Sequence, residues 1–269
     1  MRRPMFRSKT VDKSVLLAFL PASVCLVLLA CLVQGCASSE KLIGKSDSDP
    51  ASVSTAASKI DAKYRCLDGY QLQYELWRPV DDDSAGRYPL VLCLHGKGGA
   101  THAPRMILGR ADIPPCFVLA PKVPPDEFSW APIRRDGMPY VFELLDALVD
   151  QEAVDPDRIY ITGQSMGGFG TFAAVSARPD FFAAAVPVCG GWKLEDASAI
   201  HKVPMWVFHG DADKVVPAHY SRDMVKALRE AGGTPRYTEY EGVGHNSWIN
   251  AYGSEELWVW LFKQRRKPS

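Results

Sequence analysis

Arg158-Ile159-Tyr160-Ile161-Thr162-Gly163-Gln164-Ser165-Met166-Gly167-Gly168-Phe169-Gly170-Thr171-Phe172-Ala173-Ala174-Val175 is the stretch that decides the architecture. Its first five residues are largely apolar and β-branched, and read as a buried strand. Phe169 to Val175 reads as a helix. A strand, then Gly-x-Ser-x-Gly, then a helix describes a sharp turn that lifts a serine hydroxyl clear of a sheet edge. Glycines on both sides of the serine give the strained turn its backbone room. The turn aims the Met166 N–H at the same place, and the following helix adds its positive end. Ser165 is the candidate nucleophile.

A serine hydroxyl needs a base within hydrogen-bond reach and a third group to orient that base. On this kind of turn the partners follow in the order Ser, Asp or Glu, His. Val203 to Gly210 reads as a central strand running into Asp211-Ala212-Asp213-Lys214-Val215-Val216-Pro217. Pro235–Tyr240 reads as the last strand, followed by Gly242-Val243-Gly244-His245-Asn246-Ser247-Trp248. Asp213 and His245 therefore fall beyond the ends of successive strands, on the rim where open α/β sheets gather ligands. Asp211 competes for the acid role, but Asp213 lies deeper in the loop. His209 precedes the acid and His219 opens a helix, so both break the order that His245 keeps.

Upstream, Pro89-Leu90-Val91-Leu92-Cys93-Leu94 is a continuous apolar run suited to the middle of a parallel sheet. It ends in His95-Gly96-Lys97-Gly98-Gly99, whose glycines let backbone N–H groups approach a substrate. By position the Lys97 N–H, with Gly98 as the alternative, is the second oxyanion donor beside Met166. His95 is expected to be structural, bonding the loop backbone. Trp130, in a Pro-rich loop from Pro121, either lines a substrate pocket or covers the core. Trp192, at the edge of the Phe182–Val188 strand, is a second pocket candidate.

The remaining elements follow in outline. Tyr64–Leu67 and Gln71–Trp77 flank a hairpin turn at Asp68-Gly69. Helices are expected over 101–111, 139–150, 219–231 and 255–263, and a turn at Asp155-Pro156-Asp157. The fold class is α/β: a mostly parallel twisted sheet flanked by helices, with an N-terminal antiparallel hairpin.

The chain has 269 residues, 47% of them hydrophobic, enough for one sizeable core. Lys+Arg and Asp+Glu both number 31, and the zero net charge argues against a nucleic-acid partner. No His-x-x-x-His or Cys-x-x-Cys spacing supports a metal, and no cofactor is expected.

Residues 1–36 stand apart. Arg2, Arg3, Arg7, Lys9 and Lys13 form a basic start, and Ser14 to Val33 is almost wholly apolar. Val33-Gln34-Gly35-Cys36 then resembles a bacterial lipoprotein signal, with Cys36 the lipidated residue; an uncleaved membrane-spanning anchor is the alternative. Either way the domain is expected to be exported and tethered to a membrane. Residues 37–60 read as a flexible tether and 61–269 as the catalytic domain. Among Cys66, Cys93, Cys116 and Cys189, a Cys66–Cys116 bridge is one option; Cys93 and Cys189 read as buried thiols.

From about Leu90 to Phe262 the chain resembles the α/β-hydrolase superfamily, nearest its phospholipase/carboxylesterase and prolyl-oligopeptidase-like "predicted peptidase" group. Four motifs carry the resemblance: His95-Gly96-Lys97-Gly98-Gly99, Gly163 to Gly170, His209 to Pro217, and Gly244-His245-Asn246-Ser247-Trp248. The resemblance implies Asp213 as the acid, in His-Gly-x-x-Asp-x-x-Val-Pro. Lys97-Gly98-Gly99 departs from the Ala-Gly-Glu type of relatives, which leaves the second oxyanion donor open. The implied activity is hydrolysis of small-molecule or polymer-borne esters through an acyl-enzyme. A small serine peptidase and a non-catalytic binding module on the same fold are the alternatives.

Overall fold

A computed structural model describes residues 57–79, 86–108, 110–124, 126–132 and 134–266. The expected signal segment with Cys25, Cys31 and Cys36, and tether residues 37–56, lie outside the described residues. The chain runs β1 (Ala57–Arg65), β2 (Gln71–Pro79), β3 (Tyr88–Leu94), α1 (Ala103–Ile107), β4 (Phe117–Lys122), the short pair β5 (Phe128–Ser129) and β6 (Arg135–Asp136), then α2 (Met138–Gln151), β7 (Val154–Gln164), α3 (Met166–Ala177), β8 (Ala184–Val188), α4 (Ala197–Ile200), β9 (Trp206–Gly210), α5 (His219–Glu230), β10 (Arg236–Tyr240), α6 (Trp248–Gly253) and α7 (Glu255–Phe262). Eight strands form one sheet in the order β1-β2-β4-β3-β7-β8-β9-β10. β1 pairs antiparallel with β2, and β2 antiparallel with β4; from β4 to β10 every pairing is parallel.

Helices cover both faces of the sheet, which explains the unbroken apolar strands. Along β3, Leu90, Leu92 and Leu94 pack in one core with Val141, Leu144 and Leu148 of α2, Phe172 of α3 and Leu228 of α5. Val91 and Cys93 point to the other face, among Ile107 of α1, Tyr252 of α6 and Trp258 and Leu261 of α7. A Ser254 cap, whose Oγ accepts the Leu257 N–H, starts α7, with Glu255 and Glu256 in its first turn. Beyond the end of α5, Gly232 takes φ +90°, and Gly233 N–H bonds the Leu228 carbonyl.

Several expectations need correction. Ala57–Ile60 already belong to the sheet, ahead of Asp61, because β1 pairs with β2 as far as Ala57 with Pro79. Pro121 lies within β4 rather than in a loop; β3 pairs with β4 only through Leu119, so one side of Pro121 has no ladder to interrupt. Asp155-Pro156-Asp157 is an irregularity inside β7, where the register with β3 shifts between Tyr88 and Leu90. Cys66 and Cys116 are free thiols in cores on opposite faces of the sheet, so they form no bridge. Among the described residues, no helix is long and apolar enough to cross a membrane.

Candidate active site

The nucleophile turn is held by close backbone contact. Ser165 takes φ 55° and ψ −119°, a strained conformation for a residue with a side chain. A Cβ on Gly163 would run into the Gly167 carbonyl, and one on Gly168 into the Val188 carbonyl, so neither position admits a larger residue without backbone movement. The Ser165 N–H is engaged from below by Val188 O at 3.0 Å and by the Cys189 thiol at 3.3 Å. The hydroxyl is left facing the rim.

Three loops leaving β7, β9 and β10 converge there. His245 Nε2 lies 2.9 Å from Ser165 Oγ, and His245 Nδ1 lies 2.7 Å from Asp213 Oδ2. The His245 side chain keeps 21% of its surface exposed and the Asp213 side chain none, so the base is reachable and the acid is not. Burial pushes the Asp213 carboxyl up, but the His209 and His245 imidazoles and the Val216 N–H outweigh it and hold the group well below the usual carboxylate range. An ionised acceptor fixes the Nδ1–H tautomer of His245 and leaves Nε2 free to take the serine proton.

The acid loop and the base loop are interlocked. Ala212 N–H donates to Val243 O at 3.1 Å, and Asp211 N–H to Tyr240 O at 3.1 Å. Asp211 Oδ1 accepts the Gly242 N–H at 2.7 Å. This gives Asp211 a structural task and leaves the acid role to Asp213. His219 is exposed and stacked on Tyr220. His209 is buried, away from Ser165 in bonding terms, and contacts Asp213 instead.

On the opposite side of the serine, His95 is buried; its Nδ1 bonds Gly96 O at 2.7 Å and its Nε2 accepts the Val123 N–H at 3.2 Å. Burial lowers its pKa, consistent with a neutral ring that donates on one nitrogen and accepts on the other. The expected structural role of His95 therefore fits its bonds. Among the described residues, no carbonyl takes the N–H of Lys97 or of Met166.

The two tryptophans separate. Trp130 is fully buried; its indole N–H donates to His95 O at 2.8 Å, and its ring lies edge-on to the His95 imidazole. It covers the core and braces the His95 loop, so the pocket-lining expectation for Trp130 is overturned. Trp192 is half-buried, with its indole N–H on Asp196 Oδ2 at 2.7 Å and Lys193 over its ring. Two neighbours of the site were not anticipated in these roles. Cys189, at φ 42°, supplies the thiol under the nucleophile; its place just after β8 on the same rim was the available signal. Trp248 stands edge-on to His245 at 5.4 Å between ring centroids. It opens the short helix α6, which has too few residues to show a helical period.

A model of the prolyl oligopeptidase family matches residues 136–202, which include Ser165 but neither Asp213 nor His245. Carboxylesterase SOBER1 of Arabidopsis thaliana is 28% identical over 149 residues, covering 52% of this chain and 64% of that protein. Among solved structures, a thermostable esterase aligns with TM-score 0.70 and 37% identity over 77% of this chain and 63% of that one. An acylaminoacyl peptidase of Pyrococcus horikoshii aligns with TM-score 0.65 at 13% identity, over 80% of this chain and 43% of that one, a likeness of fold alone. The chain spans less than two thirds of the length of these relatives.

Proposed function

We propose that this chain, an α/β-hydrolase of the carboxylesterase and prolyl-oligopeptidase-like group, is a serine hydrolase that cleaves carboxylic esters through an acyl-enzyme. The continuous bonding from Ser165 Oγ through His245 to Asp213, at 2.9 and 2.7 Å, carries the reading. As Ser165 Oγ attacks the ester carbonyl carbon, His245 Nε2 takes its proton. The N–H groups of Met166 and Lys97 receive the developing oxyanion; removing one such donor costs about 2.7–4 kcal/mol in a comparable site. The imidazolium then protonates the leaving alkoxide. Water, deprotonated by the same nitrogen, releases the acid and restores the serine. Asp213 stays ionised throughout and stabilises the imidazolium.

The peptidase reading draws on the family-model match over 136–202. The esterase reading is preferred because the esterase relatives include the one of higher identity over most of the chain. Residues 57–269 are assayed with p-nitrophenyl acetate beside Ser165→Ala, with fluorophosphonate labelling in parallel, then with matched ester and peptide panels. Hydrolysis and labelling that vanish in S165A support the mechanism. A wild-type protein that is inert and unlabelled points to a binding module, and faster peptide than ester turnover points to the peptidase.

The apolar run from Ser14 to Val33, ending at Cys36, supports export and a membrane tether for this activity. Detergent-phase partitioning of the full chain against Cys36→Ala tests it: loss of partitioning supports lipidation, and retention supports an uncleaved anchor.

A further inference from the structure

Beside the acid lies a second imidazole that the mechanism above leaves unused. His209 is the penultimate residue of β9 and is fully buried. Its Nε2 is 2.8 Å from the Val216 carbonyl oxygen and 3.3 Å from Asp213 Oδ2. A carbonyl and a carboxylate can only accept, so Nε2 carries a proton. On the other side of the ring, Nδ1 is 2.7 Å from Ser221 Oγ, which is itself 2.8 Å from Gly190 O. Ser221 has one proton to give. Donated to Gly190, it leaves the hydroxyl oxygen to accept from a protonated Nδ1. Donated to Nδ1, it leaves the ring neutral. Both arrangements keep a proton on Nε2, donated to the Val216 carbonyl, with Asp213 Oδ2 beside it at 3.3 Å.

The carboxylate is thus gripped on both oxygens. Oδ2 faces His245 Nδ1 at 2.7 Å and His209 Nε2 at 3.3 Å. Oδ1 accepts the N–H groups of Val215 at 2.8 Å and Val216 at 2.9 Å. Val216 is held twice, its N–H on Asp213 Oδ1 and its carbonyl on His209 Nε2, so the carboxylate cannot turn without breaking buried bonds. The far end of the chain of bonds is also fixed. Gly190 packs directly on Gly168, so the Ser221 anchor rests against the helix that carries the nucleophile.

We propose that His209 is a positioning residue for the hydrolysis: its Nε2–H holds the Val216 carbonyl, and with it the turn whose Val215 and Val216 N–H groups grip Asp213 Oδ1, so that Oδ2 stays on the His245 imidazole. The proposal rests on the Ser165–His245–Asp213 esterase reading and adds to it a second histidine, reaching the substrate only through the acid. Glutamine reproduces an N–H near the position of Nε2, whereas asparagine reaches only as far as Nδ1. His209→Gln and His209→Asn therefore separate the donor to the Val216 carbonyl from the bond to Ser221.

The test is ester kinetics on both variants, alone and in an Asp213→Asn background, with nitrogen-15 histidine NMR of the wild type. In H209N, kcat falls roughly 10–100-fold with KM nearly constant, the order found when a hydrogen-bond partner behind a directly acting group is removed. H209Q recovers most of that loss. In the D213N background H209N adds almost nothing, because the group it positions is gone. The wild-type spectrum shows a slowly exchanging proton on His209 Nε2 that persists in S165A. H209N with wild-type kcat, H209Q as impaired as H209N, or a fully additive loss with D213N overturns the proposal. Should H209N fail to fold, an unprotonated Nε2 in the wild type overturns it alone. A wild type inert toward every ester defeats the esterase reading instead, and the NMR result distinguishes that case.

Discussion

Replacing Trp130 by phenylalanine separates a core brace from a pocket wall. The indole N–H donates to the His95 carbonyl at 2.8 Å in a fully buried setting. Phenylalanine leaves that carbonyl without its donor, at about 1–3 kcal/mol. The missing ring atoms leave a void on the order of 30 Å³, which at about 24 cal/mol per Å³ adds somewhat under 1 kcal/mol. The expected loss is about 2–4 kcal/mol, read by urea unfolding, with a fall in Tm on the order of 10 °C for a domain of this size. His95 carries the loop to Lys97, so the freed loop should weaken oxyanion binding more than ground-state binding. The accompanying change is then a lower kcat with little movement in KM. An unfolding midpoint equal to the wild type, together with a raised KM, would refute the brace and return Trp130 to the substrate.

Asp213→Asn should cut kcat by about four orders of magnitude while the fold persists, because asparagine favours the wrong imidazole tautomer; circular dichroism beside the ester assay checks both halves. The folded Asp213 carboxyl lies below the unfolded value of about 3.9, so its stabilisation is complete above roughly pH 4 and is lost as pH falls below that. The Tm difference between wild type and D213N should stay level from about pH 5 to 8 and close at lower pH, and a difference that grows on acidification would contradict it. Gly168→Ala drives a Cβ into the Val188 carbonyl and should destabilise by about 1–3 kcal/mol, with loss of fluorophosphonate labelling through the displaced turn. Because Cys66, Cys93, Cys116 and Cys189 are all free, dithiothreitol should leave the unfolding midpoint unchanged.

The features legible in the sequence were those with local signatures. The turn at Ser165 announces itself through glycines that must be glycines, and the strands through apolar runs that only a two-sided burial explains. Asp213 and His245 could be placed because each follows a strand directly, and the strand order brings those ends to one rim. Trp130 could not be decided, since an aromatic residue in a loop looks the same whether its N–H meets a carbonyl or a ligand. Pairing Cys66 with Cys116 failed for want of one fact, which face of the sheet each side chain enters. Ala57–Ile60 escaped notice because an edge strand held by backbone bonds needs no apolar alternation. In the sequence His209 stands only as a rival to His245; its place beside Asp213 depends on a fold-back of the loop to Val216 that no spacing reveals.

The crosslinks between the Asp211–Asp213 and Tyr240–Val243 segments have a mechanical consequence. Carboxylate and imidazole ride on a common mount, so a displacement of either loop carries both, and their 2.7 Å separation survives it.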